Sequence, residues 1–145
     1  MSAAHFRKLE KMYLGAPINR LYAPTIHIDE GTAEIAIPVD PRFVHAAGAL
    51  HGSVYFKMLD DACFFAVSSV VEDVFVLTTS FTTYLTRPVT SGTLTARGRV
   101  VHAGKGVLLA EAVVVGEDGR EVGRGNGAFM KSRIPLSAEI GYPDG

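Results

Sequence analysis

One segment constrains this chain more than any other. From Gly52 to Val71 it reads Gly-Ser-Val-Tyr-Phe-Lys-Met-Leu-Asp-Asp-Ala-Cys-Phe-Phe-Ala-Val-Ser-Ser-Val-Val, with no glycine or proline after its first position. That run is a long helix. Apolar side chains fall on nearly every face of it, and a helix apolar all round is a buried one. It is not a bilayer span, because Lys57, Asp60 and Asp61 lie at its middle and a membrane helix does not readily carry three charges there. The rest of the chain must therefore wrap around this helix.

The wrapping material is β-structure. Thr25–Asp29 and Thr32–Ile37 alternate on either side of Glu30-Gly31, the pattern of a hairpin. Beyond Val74 the chain reads as strands: Phe75–Arg87 ending at Pro88, Thr93–Ala103, Val107–Val115 and Glu121–Lys131. Gly104-Lys105-Gly106 and Glu117-Asp118-Gly119-Arg120 supply turns between the later ones. Ahead of all this, Phe6, Leu9, Met12, Tyr13 and Leu14 recur at helical spacing, which predicts a short amphipathic helix over residues 2–14 closed by Gly15. Pro38–Leu50 reads as a loop, and residues 132–145 as a loosely ordered tail. The expected architecture is α+β: four hairpin-linked strands plus the initial pair in one antiparallel sheet, curved around a single central helix.

The 145-residue length is that of one domain, spanning 1–145. Fourteen basic and fifteen acidic residues leave a net charge of −1, which argues against nucleic acid as a main partner because phosphate binding needs a basic surface. Cys63 is the single cysteine, so no intrachain disulfide and no multi-cysteine metal site can form. A small buried hydrophobe is its plainest role. The N-terminal residues hold no apolar leader core, so the expectation is a cytoplasmic protein without a membrane partner. Gly104-Lys105-Gly106 is too short for a Walker A loop, and the glycines at 119, 123, 125 and 127 do not have dinucleotide-binding spacing. No H-x-x-x-H or H-E-x-x-H pair exists, so no catalytic metal is expected.

Two features carry chemistry. The first is the junction Gly48-Ala49-Leu50-His51-Gly52-Ser53, where a loop enters the helix. A helix N-terminus presents free backbone N–H groups and the positive end of its dipole, and Gly52 allows close approach to that backbone. This is the makeup of an oxyanion hole. It is equally the makeup of a simple cap, with Ser53 as capping residue. The second is Asp60-Asp61, two carboxylates in an apolar helix, costly unless exposed, paired or functional. Lys57 stands four residues before Asp61, where the two can pair.

Gly52 and Asp60 are eight residues apart, roughly 12 Å along one helix. An oxyanion donor and a base acting on one reacting group must both lie within about 3 Å of it. If both residues work, two chains with antiparallel central helices must share the site, making the protein at least a dimer.

His51-Gly52-Ser53, then Asp60, then the threonine-rich stretch leading to Arg87-Pro88, together with Gly92–Lys105 and the Glu117–Arg120 turn, resemble the hotdog-fold acyl-CoA thioesterases. The nearest group is the phenylacetate-pathway (PaaI-like) branch, over roughly residues 30–131. The resemblance implies a dimer or a dimer of dimers, with acyl-CoA as substrate and no cofactor beyond the CoA of the substrate itself. It implies that the Gly52 N–H polarises the thioester carbonyl. Asp60 of the partner chain would serve as general base or nucleophile, Thr78 would help hold the water, and His51 would buttress the loop. Ser53 stands where relatives have a second glycine, and His45 where many have the asparagine that contacts the carbonyl; histidine also donates a hydrogen bond. Ser53, Asp61, Lys105 and Arg87, with Arg133 behind them, are the candidate substrate contacts, the basic ones for CoA phosphates. Tyr55, Phe56, Phe64, Phe65, Phe81 and Tyr84 are either core or the lining of an acyl pocket. The other readings are a hotdog protein that binds acyl-CoA or another apolar ligand without turnover, and a hydratase or dehydratase on the same fold.

Overall fold

The computed structural model describes residues 2–145. Helix α1 (Ala3–Gly15) is capped by Ser2, whose side chain accepts from the His5 amide. A short α2 (Asn19–Tyr22) follows. Strands β1 (Thr25–Asp29) and β2 (Thr32–Pro38) form the expected hairpin. One 3-10 turn (Pro41–Phe43) and a loop lead into α3 (Gly52–Ser69), the long helix. Then come β3 (Val74–Leu85), β4 (Thr93–Ala103), β5 (Leu108–Val115) and β6 (Glu121–Pro135), and a last 3-10 turn at Ala138–Ile140.

The six strands make one antiparallel sheet in the order β1-β2-β4-β5-β6-β3, and α3 packs against it. This is the hotdog arrangement. Val54, Met58, Leu59, Ala62, Cys63, Ala66 and Val67 of α3 are buried, and each of the larger ones contributes about 1.5–3 kcal/mol on leaving water. The helix lies directly on β4. A Cβ built on Gly98 would stand 2.5 Å from the Ala62 carbonyl, so only glycine lets the two backbones approach this closely. The outer face of the sheet is polar around the exposed pairs Arg97–Glu34, Arg99–Glu111 and Arg124–Glu121. No helix among the described residues is long and apolar enough to cross a membrane.

Two expectations are corrected. β3 and β4 are not a hairpin: β3 pairs with β6 alone, at the far edge of the sheet. The connection between them is tied elsewhere, since Leu50 N–H donates to the Val89 carbonyl and Val39 N–H to that of Gly92. It carries the chain across the end of α3 instead of folding it back. Nor is the segment after Lys131 loose. β6 runs on to Pro135 opposite Val74, the Ser132 hydroxyl donates to the Phe75 carbonyl, and Leu136 N–H to that of Asp73. The partners of this segment lie far away in sequence, where no local periodicity announces them.

Candidate functional site

The N-terminus of α3 is capped by His51, not by Ser53. The His51 backbone is extended, so its Nδ1 reaches forward to accept the Ser53 N–H at 3.0 Å and stands 2.7 Å from the Ser53 hydroxyl. Ser53 is thus committed to the cap. Gly52, the first helical residue, has no backbone acceptor for its N–H among the described residues, as expected of the first turn. It borders a cleft of about 340 Å³ that also meets His45, Tyr55, Leu85 and Arg87. His45 Nδ1 accepts the Ala47 N–H at 3.1 Å, which leaves Nε2 as the nitrogen that carries the proton and donates. The exposed Arg87 stands at the rim, its backbone carbonyl accepting the Tyr55 hydroxyl at 2.8 Å.

Asp60 lies midway along α3 and faces β3. The Thr78 hydroxyl donates to its Oδ1 at 2.8 Å. Burial pushes the Asp60 carboxyl up to about 6; the Thr78 hydrogen bond opposes the rise, neighbouring Asp61 adds to it, and Lys57 opposes it. The result is a carboxylate poised to exchange a proton near neutral pH.

Asp61 has other partners. Lys57 Nζ donates to its Oδ2 at 2.7 Å, as the spacing predicts, and the Tyr13 hydroxyl donates to the same oxygen at 2.9 Å. The Lys57 ammonium also lies 5.4 Å from the Tyr13 ring centre and 5.0 Å from that of Tyr22, within cation–π range. Burial and the Asp61 carboxylate push the Tyr13 phenol up, so it remains a donor. Asp61 is therefore held by two side chains, one on α3 and one on α1, while Asp60 faces a cavity of about 760 Å³ that also meets Thr78, Phe64, Phe65 and Phe75.

The structure thus brings His45, Gly52 and Arg87 to one cleft and Asp60, Asp61 and Thr78 to a second cavity. Gly52 and Asp60 of the same chain do not share one. Lys105, exposed in the β4–β5 loop, and Arg133 line neither. Of the six aromatic candidates, Phe64 and Phe65 line the Asp60 cavity and Tyr55 the Gly52 cleft. Phe56 and Phe81 pack edge to face with each other, and Tyr84 is exposed on the outer face of the sheet. Cys63 is fully buried, and burial, Asp60 and Glu111 push its thiol up, so it is a packing residue rather than a nucleophile. Among the described residues no three His, Cys, Asp or Glu side chains gather as metal ligands would.

Sequence reasoning missed Tyr13 and the C-terminal wall of the Asp60 cavity. Tyr13 had a signal, its place on the apolar face of α1, but that signal says only that it is buried.

Residues 47–123 match the family described as the thioesterase superfamily. A Saccharolobus solfataricus protein carrying a provisional esterase name is 24% identical over 114 residues, 79% of this chain and 81% of that protein. Among solved structures, the E. coli PaaI protein of the phenylacetic acid degradation operon superposes with a TM-score of 0.85 at 22% identity, covering 94% of this chain and 99% of PaaI. A thioesterase family protein of Silicibacter pomeroyi gives 0.79 at 25% identity over 86% of this chain and 95% of its own. The Haemophilus influenzae thioesterase HI1161 gives 0.76 at 21% identity over 83% and 85%.

Proposed function

The chain belongs to the thioesterase superfamily, and from that membership we propose that it hydrolyses an acyl-CoA thioester at a site shared by two copies. The observation that carries this reading is the Asp60–Thr78 pair at the wall of an apolar cavity, with the carboxyl raised to about 6. Thr78 occupies one lone pair of Oδ1 and fixes the carboxylate orientation, leaving Oδ2 for a water molecule. Asp60 takes a proton from that water as its oxygen bonds to the thioester carbonyl carbon. The oxyanion so formed is stabilised by the Gly52 N–H of a second copy and by the His45 Nε2–H beside it. Collapse breaks the carbon–sulfur bond, and the departing thiolate takes the proton back from Asp60. Arg87 at the cleft rim offers its guanidinium to a CoA phosphate.

A second copy has a place to dock. β3 pairs on one side only, and its sequence, VFVLTTSFTTYL, holds no charge, glycine or proline. An edge this long and unguarded invites another strand. Pairing β3 with its own copy, antiparallel, sets two α3 helices side by side in opposite directions. That arrangement sends the Asp60 cavity of one chain toward the Gly52 cleft of the other.

Thiol release from a panel of acyl-CoAs tests the reading. Turnover by the native protein is expected, with Asp60→Asn lowering kcat by about 10²–10⁴-fold, the usual range for a general base. Turnover undiminished by Asp60→Asn removes Asp60 from the chemistry.

A further inference from the structure

The cavity at Asp60 is bordered by the α1–α2 region and by the segment at the end of β6. One part of the lining is the end of α1 and the linker to α2, including Tyr13 and Ile18; next to it come Ile134 and the turn Ala138–Gly141, with Gly141 against Met12 of α1. That turn is fastened. Tyr142 N–H donates to the Ser137 carbonyl at 3.0 Å, and the Tyr142 hydroxyl meets His5 Nδ1 at 2.8 Å. The other His5 nitrogen, Nε2, lies 2.9 Å from the Ser68 carbonyl. A carbonyl only accepts, so Nε2 bears the proton and Nδ1 is left to accept from Tyr142. His5 is buried. It joins α1, the end of α3 and the tail in one hydrogen-bonded chain, with the Lys8 ammonium 5.4 Å from the centre of the Tyr142 ring. Ile140, half-buried against the core, is the large apolar side chain this latch holds at the cavity.

We propose that the C-terminal turn, latched to α1 through Tyr142 and His5, selects the acyl group, Ile140 being the side chain that limits its length. This rests on the reading of the Asp60 cavity as the place where the thioester is cleaved. Away from Asp60 the cavity suits an uncharged hydrocarbon: Phe64, Phe65 and Phe75 are apolar, the charges of Lys57 and Asp61 already satisfy each other, and Glu139, the other charged residue of the lining, is exposed on the turn. Ile140 sits on the short turn after β6, outside the sheet and α3, so this part of the wall can change shape without disturbing the Asp60–Thr78 pair.

The test is kcat/KM across straight-chain acyl-CoAs from butanoyl to dodecanoyl for the native protein, Ile140→Ala, Ile140→Trp and Tyr142→Phe. Ile140→Ala should raise the dodecanoyl-to-butanoyl ratio roughly tenfold or more and Ile140→Trp should lower it by as much, since one methylene in an apolar pocket is worth roughly tenfold or more. Tyr142→Phe, which removes the hydroxyl contact to His5 and loosens the turn against α1, should raise KM for the long substrates while kcat holds. A length profile identical in all four proteins overturns the proposal. If the native protein cleaves none of these thioesters, the functional reading falls by itself. Calorimetric binding of the matching free alkanoates to the same four proteins then decides: a length preference that moves with Ile140 upholds the turn as the selecting wall, and one that does not, or no binding at all, rejects it.

Discussion

Asp60 is the residue on which the account turns, and its environment makes two predictions. Its carboxyl is raised to about 6, chiefly by burial, so kcat/KM should fall on the acid side with a midpoint near that value. Thr78 donates to the charged form. Thr78→Val removes that support and should move the midpoint upward; an unmoved acid limb would separate Thr78 from Asp60. The same shift acts on stability. The folded value lies above the reference of 3.8, so the contribution of Asp60 is fully present below pH 4 and is lost as pH rises through about 6. Ionised Asp60 should cost the fold about 2 kcal/mol at pH 8, after allowance for partial solvent screening. Urea unfolding should therefore find Asp60→Asn more stable than the native protein at pH 8 and no more stable at pH 3. At this scale the sequence shows which residues are unusual and the local Lys57–Asp61 pair, but not the partners that lie far along the chain. Two carboxylates in an apolar helix stand out at once. That Thr78 would reach one and Tyr13 the other depends on contacts 18 and 48 residues away in the chain.

At the scale of elements, α3 is what the sheet is built around, and β4 touches it with bare backbone. Gly98→Ala places a methyl 2.5 Å from the Ala62 carbonyl. Neither backbone can yield cheaply, so the loss should reach about 3 kcal/mol in denaturant unfolding. Gly106→Ala, with nothing within 4 Å, should stay within about 0.5 kcal/mol. The glycines of β6 have a similar reason. A Cβ at Gly125 or Gly127 would stand 2.6 or 2.5 Å from the Phe81 ring, so their spacing serves packing between neighbouring strands. α1, the first hairpin and α3 are legible in the sequence because each is a local pattern of period 3.6 or 2. The position of β3 beside β6 and the order in the tail are not. Both depend on pairing between distant segments, and a threonine-rich strand looks the same at either edge of a sheet.

At the scale of the whole molecule, the proposed site spans two copies. Gly52 and Asp60 open into different cavities, and β3 offers an unguarded edge. The claim that two copies complete each other's sites is tested most directly by mixing two variants. Asp60→Asn removes the base. Gly52→Pro removes the N–H at the first helical position, where proline is well accepted, and the extended backbone of His51 before it suits proline too. Leu85 Cδ1, 2.8 Å from a Cβ at Gly52, is the end of a flexible side chain and can move aside. Each variant alone should be nearly inactive. Unfolded together in equal amounts and refolded, they should recover about a quarter of native activity, because half the dimers are mixed and each mixed dimer holds one intact site of two. Mixed dimers that form, as native mass spectrometry would show, yet recover no activity above the parents would contradict the shared site.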